Sequence, residues 1–237
     1  LGQRIIHLLT AQTNSGQLYD VDMRLRPSGA SGLLVSSLGA FERYQQNEAW
    51  TWEHQALVRA RVLVGCKQVG SAFEQVRASV LGRERDLPTL RQEVSEMRAK
   101  MRDNLGTRIT AAGLGENAFE ATVPFDLKQD AGGIVDIEFM VQYATLAWAR
   151  DYPQLLRFTD NIRILEGLEE AGLMPAADAS LLREAYKAFR AVAHRQALQK
   201  EAGVVTGDQF VVERQNVRRI WSELGLGPVS QNTELKL

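Results

Sequence analysis

Apolar and charged residues alternate in one short stretch near the start of the chain. From Tyr19 to Arg26 the apolar side chains are Tyr, Val, Met and Leu, and each is followed by Asp or Arg. A period of two predicts a β-strand, because successive side chains of a strand point to opposite faces. One face would be buried, and the other would carry two carboxylates and two guanidiniums. Pro27 ends this strand, and Gly29 and Gly32 follow in a short loop.

A period of three to four residues predicts helices along most of the remaining chain. An amphipathic helix opens it, and Leu33–Ser36 is predicted as a second short strand. Ser37 is the predicted N-cap of a helix that runs through Phe41 and Tyr44. Further helices, separated by Gly and Pro residues, are predicted over 48–64, 69–81, 89–105, 133–150, 161–171, 176–200 and 208–224. The polar, Gly-rich segment 106–124 is predicted as a flexible loop, and 227–237 as a ragged tail. The fold class is therefore mainly α with a small α+β N-terminal part.

The composition limits the classes of partner and the cellular compartment that are expected for the protein. A net charge of −1 over 237 residues gives no general attraction for nucleic acid or an anionic membrane. The single cysteine, Cys66, excludes an internal disulfide framework and fits a reducing compartment. No apolar run is long enough to span a bilayer. A soluble, cytoplasmic protein is expected, without nucleic acid or membrane as a partner.

The charged face of the predicted strand is the first candidate site. Four charges in a row followed by a Gly-containing loop are the composition of a metal and phosphate site, since the loop N–H groups can meet an anion. A solvated outer face with surface ion pairs explains the same pattern, and the residues leave both interpretations open.

The helix predicted over 48–64 carries a second set of candidates. Trp50, Trp52 and Leu57 are predicted to lie in the core. Arg59 and Arg61 need partners on such a helix, and a phosphate or the strand carboxylates would serve. The three histidines of the chain are predicted to pack or hydrogen-bond, because no His or Cys stands at metal-ligand spacing; a zinc site is excluded.

Gly132 and Gly133 stand directly before another predicted helix. Such a pair can leave the first N–H groups of the helix accessible to an anion, and Lys128 lies a few residues upstream. A simple turn accounts for the two glycines equally well.

Three motifs together resemble the bacterial glutamine synthetase adenylyltransferase family (glutamate–ammonia-ligase adenylyltransferase). They are YDVDMRLRPSGASG from Tyr19, NEAWTWEHQALVRARV from Asn47 and GGIVDIEF from Gly132. The match covers most of the chain, with the motifs in the order expected for the family. The AWTWEHQ segment is similar to the C-terminal, adenylylating half of these two-part enzymes.

The resemblance implies a fold and an activity. Residues 1–64 would be the end of a nucleotidyltransferase domain of the DNA polymerase β type, and residues 65–237 a helical bundle. The whole enzyme would transfer AMP from ATP to a tyrosine of glutamine synthetase and inactivate it, with Mg²⁺ as the metal. A PII signal protein and glutamine as an effector are the further partners implied.

The family uses three carboxylates, of which Asp22 matches the third. The first two have no counterpart in this sequence and are expected upstream of Leu1, so this polypeptide alone is expected to be inactive. Two Mg²⁺ ions would be held by all three carboxylates in an in-line nucleotidyl transfer, with Asp22 on the side of the nucleophile. The phosphates would be bound by a larger set, namely Arg24, Arg26, Gly29, Gly32, Arg59, Arg61, Lys128, Gly132 and Gly133.

Supporting roles are expected for Asp20, Asp136 and Glu138. For Lys128, Asp136 and Glu138 the resemblance suggests a bundle surface that faces the nucleotide, while salt bridges at the edge of the core remain an equal alternative.

Two other functions remain open at this point. The first is a helical regulatory module that contacts glutamine synthetase, a PII protein or glutamine without chemistry of its own. The second is a sister enzyme, the uridylyltransferase of PII proteins, which shares the two-domain plan. The tryptophan-containing helix favours the adenylyltransferase over that sister.

Overall fold

The computed structural model describes residues 1–17, 21–106 and 123–227. The chain divides into two compact units, Leu1–Leu81 and Gly82–Leu237. The predicted fold class is confirmed: the described residues are mainly helical and form two small two-stranded sheets. The domain boundary predicted between residues 64 and 65 stays a prediction.

The first unit contains a β-hairpin and four α-helices in its described part. Each of the two strands is only two residues long, and they pair in antiparallel fashion. The elements are α1 (Gly2–Thr10), β1 (Gln12–Thr13), β2 (Gly16–Gln17), α2 (Leu38–Asn47), α3 (Thr51–Val58) and α4 (Lys67–Leu81). The predicted cap of α2 is confirmed, because Ser37 Oγ accepts a hydrogen bond from the Ala40 N–H at 3.2 Å.

Three elements predicted for this unit differ from the structure. The segment Val21–Arg26 is irregular and then turned rather than a strand, and Leu33–Ser36 is not a strand either. The helix predicted over 48–64 is shorter, since α3 ends at Val58. A strand needs a neighbour for its N–H and C=O groups, and the paired strands in the described part of this unit are β1 and β2. Leu18–Asp20 lie outside the described residues.

The core of the first unit is formed where α2 and α3 pack on α4. Phe41 and Phe73 stack with ring centroids 5.6 Å apart. Leu57 is buried as predicted and Trp52 is half-buried, but Trp50 is 71% exposed. Trp50 is the N-cap of α3 and therefore lies outside the helical stripe that faces α4, so its predicted place in the core is wrong.

The second unit is a helical bundle with one short strand pair in its described part. Its helices differ by at most three residues from the predicted bounds, and β3 and β4 pair Phe125 with Val205. The elements are α5 (Leu87–Leu105), β3 (Phe125–Asp126), α6 (Ile134–Trp148), α7 (Asn161–Glu170), α8 (Ala176–Leu198), β4 (Val204–Val205) and α9 (Val211–Glu223). The predictions for 106–124 and 227–237 fall mostly on residues outside those described.

Helix α6 is the centre of this bundle. It contacts α5, α7, α8 and α9, and apolar side chains on all its sides are buried. Phe125 adds a second cluster, because its ring packs edge-on against Phe189 and lies 4.0 Å beneath the Arg214 guanidinium. In the described parts of both units, no helix is long and apolar enough to cross a membrane.

Candidate functional site

Asp22 is bound by Arg24. The Arg24 backbone N–H donates to Asp22 Oδ1 at 2.8 Å, and its guanidinium Nη2 lies 2.7 Å from Oδ2. Arg24 Nε donates to both carboxylate oxygens at 3.0 Å. These hydrogen bonds from the Arg24 side chain, and then the one from its backbone, lower the pKa of the Asp22 carboxyl from 3.8 to about 2. The carboxylate is thus ionised and well supplied with donors, and both side chains are exposed.

Arg26 closes the turn that follows. Its Nη1 donates to the Met23 carbonyl at 2.6 Å and its Nε to the Gly32 carbonyl at 3.1 Å. Gly32 is required sterically, because a Cβ at this position would lie 1.9 Å from the Pro27 carbonyl oxygen. Gly29 has φ +54°, a conformation that favours glycine.

The N–H groups of both glycines are already used within this turn. Gly29 N–H donates to the Arg26 carbonyl at 2.9 Å and Gly32 N–H to the Gly29 carbonyl at 3.2 Å. The expectation that these N–H groups can meet an anion is therefore wrong, because the loop satisfies them itself. A phosphate role for Gly29 and Gly32 has no support in this geometry.

The described residues do not form a magnesium site by themselves. In the described ranges, no three carboxylate, histidine or cysteine side chains lie together as metal ligands would. Asp22 is a single carboxylate that is engaged by Arg24, and Asp20 lies outside the residues that the structure describes. Two closely spaced Mg²⁺ ions need more carboxylates than Asp22 can offer.

Arg59 and Arg61 follow α3 rather than lie within it. Arg59 is the C-cap of α3, and both side chains are exposed. Arg59 lines a cleft of about 320 Å³ with Leu25 and Glu53. Arg61 lines a different one, of about 460 Å³, with Phe41 and Phe73. The early end of α3 corrects their predicted place on the helix, and the two guanidiniums line different clefts.

Glu53 and His54, in the tryptophan motif, hold α3 in place. Glu53 accepts hydrogen bonds from the Trp50 N–H and the Tyr44 hydroxyl, both at 2.9 Å. His54 is buried, and its Nε2 lies 2.9 Å from the Gln45 carbonyl oxygen, in agreement with the predicted packing and hydrogen-bonding role. The polar side chains of Glu53 and His54 are thus explained by the fold.

Arg77 is a buried residue that the sequence analysis missed. From α4, its Nε donates to the Leu57 carbonyl at 3.1 Å and its Nη2 to the Val58 carbonyl at 2.8 Å. These carbonyls belong to the last turn of α3, where helical partners run out, and the Leu57 carbonyl also accepts from the Ala60 N–H at 3.1 Å. The signal in the sequence is spacing: Arg77 stands four residues after Phe73 and three before Val80, which places a charge on an apolar stripe.

The two glycines before α6 meet carbonyl oxygens and a buried carboxylate. A Cβ on Gly132, which has φ +87°, would lie 2.7 Å from the Arg214 carbonyl oxygen, and one on Gly133 would lie equally close to that of Leu127. Gly132 N–H donates to Asp136 Oδ2 at 2.6 Å and Gly133 N–H to the Asp130 carbonyl at 3.0 Å. The expected accessibility of these N–H groups is therefore wrong, because the chain itself uses them.

Asp136 forms a buried ion pair with Arg98 of α5. Arg98 Nε lies 2.6 Å from Asp136 Oδ1, and Arg98 Nη2 donates to the Gln129 carbonyl at 2.7 Å. The pair ties α5, the turn before α6 and the first turn of α6 together. Of the two roles predicted for Asp136, the structure therefore shows the salt bridge at the edge of the core. Arg98 was missed, although it continues the apolar spacing of Leu90 and Val94 in steps of four.

Lys128 and Glu138 make contacts other than this pair. Lys128 is exposed, and its N–H donates to Asp126 Oδ1 at 2.8 Å. Glu138 is half-buried on α6 and accepts a hydrogen bond from the Tyr186 hydroxyl of α8 at 3.3 Å. Their roles toward a nucleotide stay predictions.

Two family models match the chain. Residues 1–76 match the model described as glutamate-ammonia ligase adenylyltransferase, and residues 95–228 match the one described as GlnD PII-uridylyltransferase. The second match covers most of the helical unit, which indicates a type of domain found in both kinds of enzyme.

Curated relatives that align with almost the full chain all have the same name. The bifunctional glutamine synthetase adenylyltransferase/adenylyl-removing enzymes of Pseudomonas syringae pv. tomato and Pseudomonas putida are each 81% identical over 95% of this chain. The enzyme of the same name from Hahella chejuensis is 52% identical over 94%. The chain spans about a quarter of their length, 23% in the two Pseudomonas proteins and 22% in the third.

Proposed function

Because the chain belongs to the glutamate-ammonia ligase adenylyltransferase family, we propose that it is part of an enzyme that transfers AMP to a tyrosine of glutamine synthetase and thereby inactivates it. The observation that carries this proposal is the 81% identity over 95% of the chain to relatives named for adenylyl transfer to and removal from glutamine synthetase. This identity extends through both units, so the match of residues 95–228 to the uridylyltransferase model does not favour the sister enzyme.

The finer parts of the proposal follow from the motifs. ATP is the AMP donor and Mg²⁺ the metal, and the AWTWEHQ segment assigns the chain to the adenylylating half. Residues 1–64 are the end of the nucleotidyltransferase domain and residues 65–237 the bundle. A PII signal protein and glutamine are the proposed regulators, and the match to a PII-uridylyltransferase model supports the first of these. We place the protein in the cytoplasm, where glutamine synthetase is its substrate.

Asp22 is the proposed catalytic carboxylate of this chain. Its low pKa keeps it ionised, and its half-exposed side chain is accessible to a ligand. Arg24 and Arg26 are the proposed phosphate-binding cations, since guanidiniums bind phosphate oxygens through two parallel hydrogen bonds. The described residues lack the further carboxylates that a two-metal mechanism needs. We propose that those carboxylates belong to the rest of the whole enzyme.

The whole enzyme tests Asp22. In Asp22→Asn the side chain keeps its shape and loses its charge, so the fold is retained. We expect the rate of incorporation of radiolabelled AMP into glutamine synthetase to fall about a hundredfold or more. Loss of a residue that only supports a metal ligand lowers activity by about 10- to 100-fold, and Asp22 is proposed as a ligand itself. Glu48→Gln removes an exposed charge from the same unit and serves as the control, with unchanged incorporation expected. Near wild-type incorporation in Asp22→Asn contradicts the assignment.

One observation favours a second function for the chain on its own, that of a binding module without chemistry. The carboxylate of Asp22 is engaged by Arg24, and the described residues hold no cluster of metal ligands. Isothermal titration of this chain with Mg-ATP separates the two functions. Measurable binding that is lost in Asp22→Asn supports a nucleotide site in the chain, and the absence of binding supports the module.

A further inference from the structure

A cleft in the helical unit is not explained by the proposed transfer of AMP. It has a volume of about 340 Å³ and lies where α5, the turn before α6 and α9 meet. Its charged lining residues are Arg102, Asp136 and Arg218, and Trp221 and Leu226 supply apolar surface. The volume is in the range of small-molecule sites in proteins, about 300–1,000 Å³.

The guanidiniums at this cleft offer more donors than the protein uses. Within the described part of the chain, Arg102 Nε is buried and has no hydrogen-bond acceptor, and the same holds for Nη1 of Arg98, which binds the lining residue Asp136. Buried donors of this kind are rare in folded proteins, because each leaves a desolvated N–H without compensation. Water or a ligand with acceptor oxygens is the usual partner of such groups.

Positive charge exceeds negative charge around the cleft. The Asp136 carboxylate is already bound by Arg98 Nε at 2.6 Å and by the Gly132 N–H at 2.6 Å, so Arg102, whose Nη2 lies 3.9 Å away, shares an acceptor that is largely used. Arg218 Nε donates to the Ala131 carbonyl, a neutral acceptor, at 3.1 Å. The guanidiniums of Arg98 and Arg102 thus lie near the same carboxylate, Asp136, and Arg98 also interacts with Asp130.

We propose that this cleft binds a small oxyanion, a phosphate or a carboxylate group, with the guanidiniums of Arg102 and Arg218 as the recognising groups. Planar guanidiniums suit both kinds of oxyanion, because two N–H donors match two oxygens. The apolar surface of Trp221 and Leu226 accommodates the carbon skeleton of an organic ligand. The site differs from the phosphate role predicted for Gly132 and Gly133, whose N–H groups are bound within the chain.

The test is direct binding to the full chain, which needs neither glutamine synthetase nor AMP transfer. Isothermal titration is done with inorganic phosphate, pyrophosphate and succinate at constant ionic strength. We expect at least one of them to bind with a Kd of about 1 mM or tighter. Tighter binding of phosphate or pyrophosphate identifies a phosphoryl ligand, and tighter binding of succinate identifies a carboxylate.

Two arginine variants separate a built site from general attraction. Arg102 is 39% exposed, so Arg102→Gln is expected to fold, and its Kd is expected to rise about tenfold or more because a charged hydrogen bond is lost. Arg195→Gln removes an exposed guanidinium from α8 and is the matched control, with a Kd within about twofold of wild type. Circular dichroism checks that both variants fold.

Three results overturn the proposal. One is the absence of binding by all three anions at concentrations up to about 10 mM, where a site with a millimolar Kd is filled. Another is an equal loss of affinity in Arg102→Gln and Arg195→Gln, which indicates unspecific attraction. If Arg102→Gln does not fold, Arg102→Lys replaces it, because lysine keeps the positive charge without the planar donors. An unchanged Kd in Arg102→Lys is then the third result that overturns the proposal.

Discussion

The two units of the chain use their apolar residues differently. In the second unit α6 is buried on all sides, and the helices around it bury apolar stripes of their own. In the first unit α1 buries none of its residues, and Leu33, Leu63 and Val64 are 80%, 80% and 92% exposed. Full burial of one such side chain contributes about 1.5–3 kcal/mol to stability. The second unit therefore has a larger hydrophobic core per helix.

Polar contacts hold the first unit where apolar burial is limited. His54 and Arg77 bind backbone carbonyls of a neighbouring segment, and Glu53 binds the Trp50 N–H and the Tyr44 hydroxyl; all three are buried. In the second unit Arg98 and Asp136 act in the same way, but within a complete bundle. The comparison shows that one chain joins a unit stabilised mainly by its core to a unit stabilised largely by polar links.

The largest loss of stability is expected in the second unit, where a buried polar contact lies within an apolar core. Asp136→Ala leaves the Arg98 guanidinium buried without its counter-charge and the Gly132 N–H without an acceptor. We expect the free energy of opening α6 to fall by about 3–5 kcal/mol, the cost of breaking a buried ion pair. Hydrogen exchange of α6 peptides, measured by mass spectrometry, gives this value.

The matched control is Glu184→Ala, which removes a carboxylate from a surface ion pair on α8. Its effect is expected to be about 0.5 kcal/mol or less. Equal losses in Asp136→Ala and Glu184→Ala would mean that the buried pair contributes no more than a surface one.

A smaller effect distinguishes two apolar residues of the first unit. Leu57 is buried against α4, so Leu57→Ala is expected to lower the free energy of opening α3 by about 2–4 kcal/mol. Trp50 is mostly exposed, and Trp50→Ala is expected to change the free energy of opening α3 by only about 0.5 kcal/mol. Exchange of peptides from α3 and α4 measures both. A larger loss in Trp50→Ala than in Leu57→Ala would reverse the assignment of the core.

The smallest effect concerns the acid behaviour of the first unit. The pKa of Asp22 is about 2 in the folded chain, and its ordinary value is 3.8. The ionised carboxylate therefore stabilises the fold fully above pH 3.8, and this stabilisation is lost as the pH falls through 2. An NMR titration of the Asp22 carboxyl carbon is expected to give a midpoint near 2. In Arg24→Gln the midpoint is expected to return toward 3.8, and an unchanged midpoint there would exclude Arg24 as the cause.

The helices of the second unit were predictable because their signals are local. The predicted segment 89–105 became Leu87–Leu105, and 161–171 became Asn161–Glu170. In contrast, β3 and β4 are two residues each and pair positions 125 and 205, so the pairing depends on tertiary structure. For the same reason, the alternation in Val21–Arg26 did not produce a strand in that described segment: a period of two favours a strand only where a partner is present.

The candidate site was predictable by residue type but not by contact. Asp22 and Arg24 were expected on one face, and they form a direct ion pair. Gly132 and Gly133 were expected to expose N–H groups, but a carboxylate four residues later, Asp136, turns back to bind the first of them. Arg98, which supports that carboxylate, stands 38 residues away in sequence, so its partner depends on tertiary structure.

Arg77 also constrains the order in which the chain folds. Its guanidinium reaches back 20 and 19 residues to the last carbonyls of α3, a helix of eight residues. Helices this short are unstable alone in water. During synthesis, the contacts of Glu53 and His54 with α2 and the start of α3 are therefore available first. The contacts at the end of α3 follow only when α4 has formed, so the motif is held from both sides only after the helix that follows it is complete.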